Sequence, residues 1–138
     1  MMHNTDISKL LTTSLVAMGC DPALIGDLDA HNDIVLDFHD VPSIHLRCDG
    51  DEVRIWAALG ERHDYQVVID THAPKMLLAL TAPQAYTVGG NLMLSIQDET
   101  LQLTALLHPD YLSDSEKFGV ALNAFFERIA VFNQIISD

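Results

Sequence analysis

Apolar residues recur every three or four positions at both ends of the chain and every second position between them. Ile7, Leu10, Leu11, Leu15 and Met18 share one helical face, with Thr5 or Asp6 placed to cap the helix and Gly19 to stop it. "DPALIGDLDAHND" follows as a structured connection, because Leu24, Ile25 and Leu28 stand among its turn residues. Three runs then alternate apolar and polar positions: Ile34, Leu36 and Phe38; Ile44, Leu46 and Cys48; Val53, Ile55 and Ala57. The breaks at "DVP" and "DGD" have hairpin length, so these runs predict an antiparallel meander.

Farther on, "YQVVI" suits a strand, while "DTHAPKMLLAL" suits a helix from about Thr71 to Leu80, capped by Asp70 or Thr71, with Pro74 in its first turn. "NLMLSIQ" and "LQLTALLH" flank Asp98, Glu99 and Thr100 as a second hairpin. Ser113 through Glu116 reads as a capping box ahead of a last helix of roughly 25 residues. On that helix Phe118, Leu122, Phe125, Ile129, Phe132 and Ile136 form one stripe, expected on the sheet. Val120, Ala124, Val131 and Ile135 form a second; Val120, Val131 and Ile135 are expected to meet the first helix. The element order is α-β-β-β-α-β-β-α, which predicts an α+β domain with helices laid on a curved antiparallel sheet.

Composition narrows the picture. A chain of 138 residues, 49% of them hydrophobic, suits a single folded domain over residues 1–138. Twenty acidic residues against seven Lys plus Arg give a net charge of −13. The few cations lie singly along the sequence, which argues against nucleic acid, whose phosphates demand a cationic surface. The N-terminal stretch has no cationic segment followed by an apolar run, and no stretch approaches membrane-spanning length, so neither export nor insertion is expected. Cys20 and Cys48 are expected as reduced thiols in a cytoplasm.

Catalytic chemistry finds no pattern to stand on. His31 with Asp29 and Asp33, and His39 with His45, form a loose cluster without the spacing of a specific zinc site. A small cytosolic metal-dependent enzyme built on residues 29–45 is therefore the alternative to a binding module. Nucleophile-elbow, Walker and dinucleotide-binding motifs are absent, and Gly89-Gly90 reads as a bend. No cofactor, metal or catalytic residue is assigned. Trp56 reads either as a packed aromatic or as a ligand platform. What remains unusual is surplus apolar surface.

"SLVAMGCDPALIGDLDAHNDIVLDFHDVPSIHL", "EVRIWAALG" and "LTALLHPDYLSDSEKFGVALNAFFERIAVFNQ" together resemble the type III secretion chaperones of class IB, the InvB/SpaK-like family. The likeness runs from about Asp6 to Ile135 without a large insertion, and the stretch from Gly60 to Gly90 departs most. The resemblance implies an acidic cytoplasmic homodimer in a bacterium. It also implies binding of the nonglobular N-terminal segments of secreted effectors and delivery to the secretion apparatus, whose ATPase is an implied partner. Such a module has no catalytic site.

Apolar faces supply the site expectations. Ile7, Leu10, Leu11, Ile34, Leu36 and Phe38 are assigned to effector binding, as a groove beside a sheet edge. Leu77, Leu80, Leu92 and Leu94 are assigned to the dimer seam.

Overall fold

In a computed structural model, the structure describes Thr13, Val16 and residues 34–37, 41–49, 52–61 and 63–137. Ile34–Leu36 (β1), Ile44–Asp49 (β2), Glu52–Leu59 (β3), Met93–Gln97 (β4) and Thr100–Leu106 (β5) form one sheet in the order β1-β2-β3-β5-β4. Every pairing is antiparallel. Two helices, Tyr65–Leu80 (α1) and Ser115–Ser137 (α2), are described in full, and a 3-10 turn, Pro109–Leu112, leads into α2. The α+β class and the meander follow the sequence expectation. Thr13 and Val16 have helical backbone, while the rest of the expected first helix lies outside the described residues.

Strand alternation sorts the sheet into two faces. Ile44, Leu46, Val53, Ile55, Ala57, Leu59, Leu101, Leu103 and Ala105 are buried on one of them. Against this core packs the predicted stripe of α2, with Phe118, Phe125, Ile129 and Phe132 fully buried and Leu122 nearly so. Ile136 packs on its edge. The second stripe does not share this burial: Val120 and Val131 are exposed, and Ala124 and Ile135 are half-buried.

Three local expectations need correction. First, the α1 helix begins at Tyr65, because Asp64 Oδ1 accepts a hydrogen bond from the Gln66 N–H at 2.8 Å and caps the helix six residues before Asp70. Second, "YQVVI" is therefore helical despite its β-branched run, with Val68 turned into the core. Tertiary burial of Val68 and Met76 outweighs a propensity difference of well under 1 kcal/mol per residue. Pro74 consequently stands in the helix interior, more than two turns from its start, where it removes a hydrogen-bond donor. Third, the cap of α2 is Asp114, whose Oδ1 accepts from the Lys117 N–H at 2.8 Å; Ser113 instead donates to the Asp110 carbonyl at 3.0 Å.

The β4–β5 hairpin turns through Asp98 and Glu99, both at positive φ (51° and 61°), with Gln97 paired to Thr100. Positive φ at both central residues is the type I′ geometry that matches the twist of a two-residue hairpin. Neither residue is a glycine, so tight pairing of the flanking strands holds a conformation that L-residues adopt at some cost.

Candidate apolar docking groove

Helix α1 lies beside β4 and leaves a groove of ≈ 680 Å³ between them, lined by Ile69, Ala73, Leu77, Leu80, Leu94 and Ile96 among others. The groove exists because α1 buries only Val68 and Met76 fully along its 16 residues. Within the lining, Leu77 is 66% exposed and Ile96 46%. A leucine that open to water is common singly, but a contiguous set on one helix and the neighbouring strand marks an interaction surface. Chemically the lining offers burial of apolar side chains and almost no hydrogen bonding.

Arg128 fixes the far end of the groove. Its Nη2 donates to the Ala79 carbonyl at 3.0 Å, tying the middle of α2 to the C-terminus of α1, where a cation also meets the negative end of the helix dipole. Tyr86 lies close enough for the Arg128 charge to lower the tendency of its hydroxyl to stay protonated. Burial is the larger influence and pushes the Tyr86 pKa well above the ordinary phenol value. Among the described residues, the Tyr86 Oη and Arg128 Nε are buried without a hydrogen-bond partner.

The expected site residues are distributed unevenly. Leu77, Leu80 and Leu94 line the groove together, whereas Leu92 is 6% exposed and belongs to the core of its own protomer. Of the residues assigned to effector binding, Ile34 is buried and Leu36 half-buried, and Val35 between them is exposed. Ile7, Leu10, Leu11 and Phe38 lie outside the described residues. Of the groove residues, sequence reasoning did not assign Ile69, Ala73 or Ile96. Taking "YQVVI" as suited to a strand and starting the helix at Thr71 removed the first turns of α1, and with them the helical phase that puts Ile69 in the groove.

Of the metal-enzyme alternative, His31 and His39 lie outside the described residues, while His45 stacks on Trp56 with ring centroids 5.2 Å apart. The comparisons with known proteins give that alternative no support. The model of the invasion protein B family matches residues 19–98. The "Surface presentation of antigens protein SpaK" of Salmonella typhimurium is 43% identical over 133 residues, covering 96% of this chain and 97% of that protein. The chain belongs to the invasion protein B family.

The SpaK protein of Salmonella typhi matches equally, at 43% identity over the same 133 residues. Among solved structures, "the heterodimeric complex ExoU-SpcU from the type III secretion system" of Pseudomonas aeruginosa contains a chain that superimposes with a TM-score of 0.52 at 19% identity. The match covers 91% of this chain and 93% of that one. At that identity it establishes the fold alone. The resemblance to InvB/SpaK-like type III secretion chaperones therefore stands for family and for fold, and the family assignment points to a chaperone-type function and away from catalysis. Among the described residues no helix is long and apolar enough to cross a membrane.

Proposed function

We propose that this member of the invasion protein B family is a single-domain cytoplasmic chaperone that binds the nonglobular N-terminal segments of type III secreted effectors. It keeps them extended and delivers them to the secretion apparatus, whose ATPase is the expected docking point. The observation that carries the reading is membership of the invasion protein B family; the apolar groove between α1 and β4, with Leu77 and Ile96 open to solvent, supports the dimer in which the chain works. The chain works as a homodimer, with Leu77, Leu80 and Leu94 forming the seam and Leu92 supporting it from the core.

Cargo is held elsewhere, along β1 and the expected N-terminal helix. Among the described residues β1 pairs only with β2, and its exposed Val35 faces away from the core. An extended polypeptide can add a strand at such an edge, so main-chain hydrogen bonds give general affinity and side-chain pockets give selectivity. Ile7, Leu10, Leu11, Leu36 and Phe38 would supply the pockets, with buried Ile34 beneath them. Ordering a disordered segment costs on the order of 2–5 kcal/mol, which favours a large, doubled contact surface.

The test is co-expression with the N-terminal segment of a protein exported by the type III system of the source bacterium, followed by light-scattering mass and limited proteolysis. Two copies of this chain per segment, with the segment protected, is the expected result. A segment cut equally fast with and without the chain overturns the chaperone function; a monomeric chain overturns the dimer.

A further inference from the structure

The sheet face opposite the core carries a second depression, of ≈ 610 Å³. Strand alternation places His45, Arg47, Arg54 and Trp56 on this face, because Ile44, Leu46, Val53 and Ile55 turn the other way. The register then sets these side chains in rows across the sheet. Arg47 stands directly opposite Arg54, and His45 opposite Trp56. Trp56 in turn stands opposite Thr104, and Thr104 opposite Met93. The His45 and Trp56 rings stack at an interplanar angle of 12°, and the Arg47 guanidinium lies 6.0 Å from the Trp56 ring centroid. Gln102 and Ser95 form the next row, and Asp98 closes the far end at the hairpin turn.

Two features of this face point outward to a ligand. Like charges directly opposite each other on neighbouring strands destabilise a sheet, yet two of the seven cationic residues of a chain with net charge −13 are placed so. Moreover, Arg54 is exposed and forms no ion pair with any of the described residues. Acidic residues far from Arg54 do little to its local potential. Screening at physiological ionic strength confines surface charge effects to roughly 8 Å.

The geometry points to this face as a docking site for an acidic stretch of the exported polypeptide, with a carboxylate on Arg54 and an adjacent apolar side chain on the His45–Trp56 platform. This inference rests on the chaperone reading and adds to it a chemical class of sequence that the cargo must carry. The polarity of the depression sets the direction of the segment. Its acidic end lies at Arg54, because Asp98 repels a carboxylate at the other end, about 20 Å away along the strands at ~3.3 Å per residue. Gln102, Ser95 and Gln97 offer hydrogen bonds to the four or so residues between.

Trp56 is the only tryptophan in the chain, so its emission reports on the site directly. The probe is a six-residue peptide blocked at both ends, two glutamates followed by phenylalanine and three polar residues, titrated against the full chain. Saturable change in Trp56 emission is expected, with about tenfold weaker binding of the glutamine isostere, the loss of one charge-assisted hydrogen bond. Arg54→Gln reduces the glutamate peptide to the level of its isostere, whereas Lys75→Gln, an equal charge change on exposed α1, leaves it unaltered. Equal binding of the two peptides, equal binding by Arg54→Gln, or no binding at all overturns the inference. Protease protection of a cargo segment by the unsubstituted chain, run in parallel, separates the two proposals. Protection without peptide binding removes only this site, and peptide binding without protection leaves the acidic-peptide site standing while removing the chaperone function.

Discussion

Replacing Leu77 by serine tests the α1–β4 seam where its energetic consequence is largest. Full burial of a leucine side chain is worth about 1.5–3 kcal/mol, and Leu77 is 66% exposed in the isolated protomer. Covering that fraction in a seam contributes about 1–2 kcal/mol per protomer. A twofold dimer uses the same patch on both subunits, so each substitution acts twice and the dimer loses about 2–4 kcal/mol. At 1.4 kcal/mol per decade this is a rise in the dimer dissociation constant of about 30-fold to several hundredfold. Sedimentation equilibrium over a dilution series measures it directly. Because Leu77 is exposed, the monomer itself should change stability by no more than about 0.5 kcal/mol. Val120→Ser, at a 56% exposed position on α2 outside the groove, is the control. A dissociation constant for Leu77→Ser within threefold of the unsubstituted value, or an equal loss for Val120→Ser, would refute the seam.

Two further substitutions probe the support behind the groove. Tyr86→Phe removes a buried hydroxyl that meets no partner among the described residues, so urea denaturation at pH 7 should show the variant equally stable or up to ~1 kcal/mol more stable. The Tyr86 pKa is raised on folding, so the unfolded chain releases the proton first, and stability present below about pH 10 should fall by up to ~1.4 kcal/mol per pH unit above it. That Tyr86 contribution should vanish in Tyr86→Phe; an unchanged alkaline slope would remove the assignment. Arg128→Met deletes the hydrogen bond to Ala79 and the charge at the end of α1, with an expected loss of about 1–2 kcal/mol at neutral pH. A variant as stable as the original would show that the tie contributes nothing.

Much of the fold was legible because the signals were local. The stripe from Phe118 to Phe132 and the alternation in β2 and β3 each follow from the repeat of one element, and both are buried as the periodicity implied. The start of α1 was not legible. "YQVVI" has the residue types of a strand, and its helical state depends on the Asp64 cap and on Val68 reaching a core assembled from distant strands. Leu92 and Leu94 show the same limit within three residues. Both were assigned to the seam on apolar character, yet Leu92 is sealed in the core and Leu94 lines the groove. Apolarity states that a side chain avoids water and leaves open which neighbour shields it.

The sequence by itself determined the class of structure, the acidic charge, the family resemblance and the faces of the long elements. These properties depend on composition, order and periods of two or 3.6 residues, all carried along the chain. Only the tertiary structure decided which apolar residues α1 leaves uncovered and that Arg47 and Arg54 meet across the β2–β3 pairing beside Trp56. It alone set Arg128 on the end of α1. Those relations join residues far apart in sequence or fixed by strand register, and they come into being only when the elements pack.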